Sequence, residues 1–158
     1  MGKIALILAG IAVAAAFWVW SQKSKPSPVV VGEYIRVKTV VDQDGSKLKF
    51  MVEPVGMPAF VLSAFSLEAT MSKSGGTAIK SQEMISVGWS FPFARVEGQT
   101  LKLSGVYMAP AAYEFNGEQE LVEVQFDNNG ANGVQVSLDE KNTVFLRKDT
   151  VPVQYRYE

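Results

Sequence analysis

At 158 residues the chain has room for a short N-terminal segment and one domain of about 130 residues, and none for a second core. It contains neither cysteine nor histidine, which removes disulfides, thiolate and ordinary zinc sites, and the Ser-His and Cys-His pairs on which most common hydrolases depend. From Val29 onward twelve basic side chains face sixteen acidic ones, so the domain lacks the positive surface from which nucleic-acid binding draws its affinity.

The first element is apolar. Ile4 to Trp20 is a run without charge, and a helix over it would rise about 25 Å against a hydrocarbon core of roughly 30 Å. Phe17, Trp18 and Trp20 crowd its C-terminal end, where indole rings favour the headgroup boundary, and Lys23 and Lys25 come next, in reach of headgroups. Residues 1–20 are therefore expected to form one retained transmembrane helix, with Ile4, Leu8 and Ile11 among its apolar residues and the bilayer as first partner. Ala5, Ala9, Ala12 and Ala16 are spaced four, three and four apart, a small-residue seam on which a partner helix could pack.

The rival for this segment is a signal peptide. Lys3 supplies a minimal basic region, Ile4 to Val13 an apolar one, and Ala14-Ala15-Ala16 a small-x-small cleavage site. Cleavage after Ala16 would leave a mature chain starting with four large apolar residues, Phe17-Trp18-Val19-Trp20, which favours retention. An anchor so close to the N-terminus most simply exports the domain C-terminal to it. The domain is accordingly expected on the non-cytoplasmic side.

Residues 21–28, SQKSKPSP, read as a stiff polar tether, because two prolines break both helix and sheet. Beyond it, over 29–158, the apolar period becomes two. Ile35, Val37, Thr39 and Val41 alternate up to Asp44-Gly45, a strong hairpin turn, and Leu48, Phe50 and Val52 resume the pattern. Further strands are expected around Phe65 to Met71, Ile85 to Phe93, Leu101 to Tyr107, Val122 to Phe126, Val134 to Leu138, Val144 to Arg147 and Val151 to Tyr157, with Asn116-Gly117 as another turn. About nine short strands without an amphipathic helix indicate an all-β, antiparallel β-sandwich, immunoglobulin-like in architecture only, preceded by the N-terminal transmembrane helix. No internal repeat is present.

The chemistry-bearing stretches all have bland readings. Asp42 to Gly45 resembles part of a calcium loop, but its glycine is fourth where an EF-hand needs it sixth, and a hairpin turn accounts for the same residues. Glu114, Glu118, Glu120 and Glu123 would need a facing pair of carboxylates for glycoside hydrolysis; alternation with Val122 suits a solvated face instead. The methionines are too dispersed for copper(I).

Trp89, Phe91 and Phe93 fall on one face of a strand that Pro92 marks as an edge or a bulge. Core packing is the default for that stripe, and the alternative is a partner-docking edge formed by Trp89, Phe91, Pro92 and Phe93. The composition points to a non-enzymatic, single-span membrane-anchored subunit of a larger complex in a cell envelope or a membrane-containing virion. It is expected to use no cofactor and no metal, and to have other protein subunits as partners. The different-class alternative is an exported, soluble carbohydrate- or ligand-binding module released by cleavage at Ala16; an exposed Trp89 would favour it.

Overall fold

A computed structural model describes residues 33–56, 60–111, 113–147 and 151–158. The chain enters at Glu33 and forms β1 (Tyr34–Val41) and β2 (Lys47–Val55), an antiparallel hairpin with Val37 opposite Val52. Its turn forms where Asp44-Gly45 predicts it. Gly45 has φ 72°, the left-handed region that glycine enters at no steric cost. The Asp42 carboxylate accepts the Lys47 N–H at 2.9 Å and Asp44 that of Ser46 at 2.8 Å, so local side chains satisfy the turn backbone.

The remaining elements are β3 (Phe60–Met71), β4 (Thr77–Lys80), α1 (Gln82–Ser86), β5 (Trp89–Glu97), β6 (Thr100–Tyr107), β7 (Glu114–Phe115), β8 (Gln119–Gln125), β9 (Val136–Leu138), β10 (Val144–Arg147), β11 (Pro152–Val153) and β12 (Tyr155–Tyr157). They build two sheets. The first runs β12-β1-β2-β8-β4; the second runs β11-β10-β3-β6-β5, with β7 and β9 also pairing β3. The fold is an all-β sandwich, as the period of two predicts.

Three local expectations are corrected. A strand beginning near Ile85 is replaced by α1: Ser81 caps it, its Oγ accepting the Met84 N–H at 3.3 Å, and Met84 is fully buried beneath it while Ile85 and Val87 are exposed. Asn116-Gly117 does turn the chain, but β7 pairs β3 and β8 pairs β2, so this turn carries the chain between sheets and closes no hairpin. The sandwich is also not wholly antiparallel. β12 lies parallel to β1, with Ile35 opposite Tyr155, because the last residues step from the edge of the second sheet to that of the first and Ile35 N–H takes the Gln154 carbonyl at 2.8 Å.

Between the sheets lie the inward residues of each strand, among them Ile35, Phe50, Phe65, Leu67, Leu103, Val124 and Phe145. Each buried large side chain contributes about 1.5–3 kcal/mol relative to exposure. Phe65 is the hub of an aromatic group, with ring centroids 5.5 Å from Trp89, 6.0 Å from Phe91 and 6.1 Å from Phe145. Its ring also lies over Gly105, its cross-strand partner on β6, where an added Cβ would overlap the ring. Gly105→Ala is therefore expected to cost about 2 kcal/mol, the usual penalty for overpacking. A denaturant titration checks this, and an unchanged midpoint would show that the ring yields.

The phenols of Tyr113 and Tyr155 are held above their ordinary range, first by burial and then by the carboxylates of Glu83 and Glu140 respectively. The folded chain thus keeps protons that the unfolded chain loses above about pH 10. That stability is fully present below this point and declines as pH rises through the folded values. With no histidine to titrate, the melting temperature is expected to stay level between about pH 6 and 9 and to fall above about pH 10. A drop between pH 6 and 8 in a calorimetric series would contradict this.

The strand registers place most connections at two ends. At the end where Glu33 enters lie the β2–β3 link, α1, the β6–β7 loop, the β7–β8 turn and the β10–β11 connection; at the opposite end lie the β1–β2, β3–β4, β5–β6 and β8–β9 connections. The β9–β10 connection bulges out midway along β3, where the Asp139 N–H donates to the Glu68 carbonyl. Among the described residues no helix is long and apolar enough to cross a membrane. The expected anchor (Ile4, Leu8, Ile11, Phe17, Trp18, Trp20, Lys23, Lys25), the seam (Ala5, Ala9, Ala12, Ala16) and the tether over 21–28 lie outside the described residues.

Candidate docking surface

β5 is an edge strand of the second sheet, the position that Pro92 indicates. Its aromatic stripe divides. Trp89 and Phe91 are 3% and 5% exposed and belong to the core. The pairing of β5 with β6 then shifts between Ser90 and Phe93, a bulge around Pro92, which has no N–H for the ladder. Beyond the bulge Ala94 and Val96 pack against the core, so Phe93 turns outward at 52% exposure, with the Arg95 guanidinium 5.5 Å from its ring centroid. The expectation of three aromatics on one face is corrected by this one-residue slip. Buried Trp89 offers no stacking platform for a sugar, and its indole ring instead meets Tyr107, Tyr113 and Phe115 at centroid distances of 5.6–6.1 Å.

The outward positions of the two sheets differ in chemistry. On the first sheet, cross-strand pairs put charge opposite charge: Arg36 binds Glu53 at 3.0 Å and Glu158 at 2.7 Å, Lys38 binds Glu118, Lys47 binds Glu123 at 3.1 Å, and Lys49 binds Glu120 at 3.1 Å. The Arg36 guanidinium is held above its ordinary value by the Glu158 charge and then by the Glu53 hydrogen bond, and the Lys49 ammonium is raised by its bond to Glu120. Glu118, Glu120 and Glu123 are thus partners in a lysine ladder, and Glu114 lies apart on β7 in the other sheet. The acidic run reads as a solvated, ion-paired face. Among the described residues no group of three or more acidic side chains could hold a metal ion.

On the second sheet an uncharged band crosses the outer face. Phe93 on β5 stands opposite Ser104 on β6, Ser104 opposite Ser66 on β3, and Ser66 opposite Val144 on β10. One step toward the entry end, Ser90, Val106, Ala64 and Leu146 form a parallel row. Charge begins at the next row in the other direction, with Arg95, Lys102 and Glu68, and on the entry side at Arg147, which follows Leu146. Ser104 is 5% exposed and its hydroxyl has no hydrogen-bond partner, an orphaned polar group on this band. Ser104 and Val144 are 5% and 6% exposed, so the accessible part of the band is Phe93, Ser66 and the row Ser90, Val106, Ala64 and Leu146. Uncharged and built on four paired strands, it presents the composition of an interface core, in which charge is depleted.

The sequence matches no protein-family model and no curated protein. Solved structures match the fold. The second type II cohesin module from the cellulosomal adaptor ScaA scaffoldin of Acetivibrio cellulolyticus is 12% identical, with a TM-score of 0.52 over 82% of this chain and 95% of that one. The sixth cohesin of scaffoldin B from the same organism, solved in complex with a mutated dockerin, is 14% identical, with a TM-score of 0.55 over 81% and 95%. The third cohesin ScaC, also from Acetivibrio cellulolyticus and in complex with the ScaB dockerin, is 12% identical, with a TM-score of 0.56 over 78% and 94%. At these identities the likeness is one of fold: the domain is a cohesin-like, immunoglobulin-like all-β sandwich.

Proposed function

We propose that this chain is a non-catalytic docking module: a single-span membrane-anchored subunit of a larger complex, in a cell envelope or a membrane-containing virion, whose β-sandwich holds a partner protein on the non-cytoplasmic side. The observation that carries the reading is the uncharged band around Phe93, Ser66, Ala64, Val106 and Leu146 on the outer face of the second sheet, set against the ion-paired outer face of the first. Sandwiches of similar fold have been solved in complex with dockerin proteins, which supports a protein as the partner. The absence of histidine and cysteine and the lysine pairing of the carboxylates speak for a role without catalysis.

Docking here would bury small and aliphatic side chains on a rigid sheet that orders little on binding, so little of the contact energy is lost to entropy. Intact mass and affinity purification of the native protein in mild detergent test the proposal together. The expected result is a full-length mass with a stoichiometric protein companion. A mass beginning at Phe17, with the protein free in the soluble fraction, would replace the anchor with export.

A further inference from the structure

The two ends of the sandwich differ as sharply as its two faces. At the end opposite Glu33 the connections carry residues such as Asp42, Lys73, Asn128 and Asn129, and the exposed large apolar side chain nearest them, Val40, lies within β1. At the end where the chain enters, Met108 is 58% exposed, Ile85 40% and Val87 39%. The two loops that carry them are joined, the Met108 N–H donating to the Gly88 carbonyl at 2.9 Å. After Met108 the β6–β7 loop continues as Ala109-Pro110-Ala111, without charge.

This end is also where the rest of the chain must arrive. Glu33 begins β1, and the 12 residues at positions 21–32 separate it from the uncharged run Ile4 to Trp20. Fully extended, such a length reaches about 40 Å at most. We propose that the entry end of the sandwich beds into the surface of a lipid bilayer, with Ile85, Val87 and Met108 as its lipid-contacting side chains. The inference rests on the anchor reading under the proposed function and adds the domain's orientation, with the ion-paired and uncharged faces both standing upright from the bilayer.

The chemistry favours lipid over a second protein. The patch consists of tips from separate loops, with neither groove nor free strand edge, and three large apolar side chains are enough for shallow interfacial insertion. The exposed charged groups at this end are of both signs, Glu83 on α1 and Glu114 on β7 against Lys80 before α1 and Arg147 at the end of β10, so no net attraction to anionic headgroups is built in. Insertion is driven by apolar area and is insensitive to salt.

The cysteine-free sequence makes the test direct. The full chain is reconstituted in phosphatidylcholine vesicles as two single-cysteine variants, Met108→Cys and Ser74→Cys at the opposite end, each carrying an environment-sensitive fluorophore. Lipids bearing a quencher near the headgroup are expected to dim the probe at 108 by about twofold or more and to leave the probe at 74 unchanged, with or without added salt. Vesicle flotation distinguishes the failures. A chain that floats with both probes in water, or with the probe at 108 shielded from aqueous quencher yet untouched by the lipid quencher, overturns this inference and leaves the anchor standing. A chain that does not float overturns both.

Discussion

Phe65→Ala is expected to remove about 4 kcal/mol of unfolding free energy, the cost typical of deleting a fully buried aromatic ring. Phe65 is 2% exposed and touches Trp89, Phe91 and Phe145 at once, so its loss opens a cavity in the middle of the second sheet's inner face. On one side that cavity is bounded by Gly105, which has no side chain with which to collapse into it. Against a total stability of about 5–15 kcal/mol, such a loss brings the domain near its threshold. Urea unfolding followed by tryptophan fluorescence measures it. A loss below about 1.5 kcal/mol with an unchanged slope would mean that Phe65 is not the hub of the core.

Ser66→Glu and Ser66→Lys are each expected to weaken partner binding by roughly 100-fold while leaving the melting temperature within a degree or two, because both place a charge at the centre of the uncharged band. The sign should not matter. Binding is weakened by the desolvation of a charge without a counter-ion, and this is similar for a carboxylate and an ammonium. Lys38→Ala, on the ion-paired face, should change affinity by less than about twofold, since exposed ion pairs contribute little. Titration calorimetry with the purified partner reads all three. Strong weakening by one sign of charge alone would point to an electrostatic contact at this position and not to a dry interface core.

The parts of this fold that were legible in the sequence are the local ones. Alternation of Ile35 and Val37 with Arg36 and Lys38, closed by Asp44-Gly45, specifies a hairpin from within about twenty residues. The acidic run around Asn116-Gly117 reads as an outward, ion-paired face, although Glu120 and Val122 reach opposite faces only through a register shift in β8 that no alternation in the sequence marks. Trp89 and Phe91 are core residues, the default for an aromatic stripe.

The hidden parts depend on pairing between distant segments. The parallel addition of β12 to β1 joins residues some 120 apart, and no period within either strand encodes it. The helix α1 has five residues, too short to show a 3.6-residue period, although Ser81 followed by Glu83 was a readable start signal. The outward turn of Phe93 results from a bulge whose only local mark is Pro92. The uncharged band is the clearest case. Ala64, Ser66, Val106 and Leu146 are unremarkable one by one and become a surface only when β10, β3, β6 and β5 lie side by side.

That band carries the proposed docking role, and site-specific photo-crosslinking in the native membrane tests it most directly. A photoreactive amino acid is placed at Ser66 on the second sheet's outer face or at Lys49 on the first. One discrete crosslinked protein species is expected from position 66 and none from position 49. Crosslinking from 49 alone, or equally from both faces, would contradict the docking role of the band and would place the partner elsewhere on the sandwich.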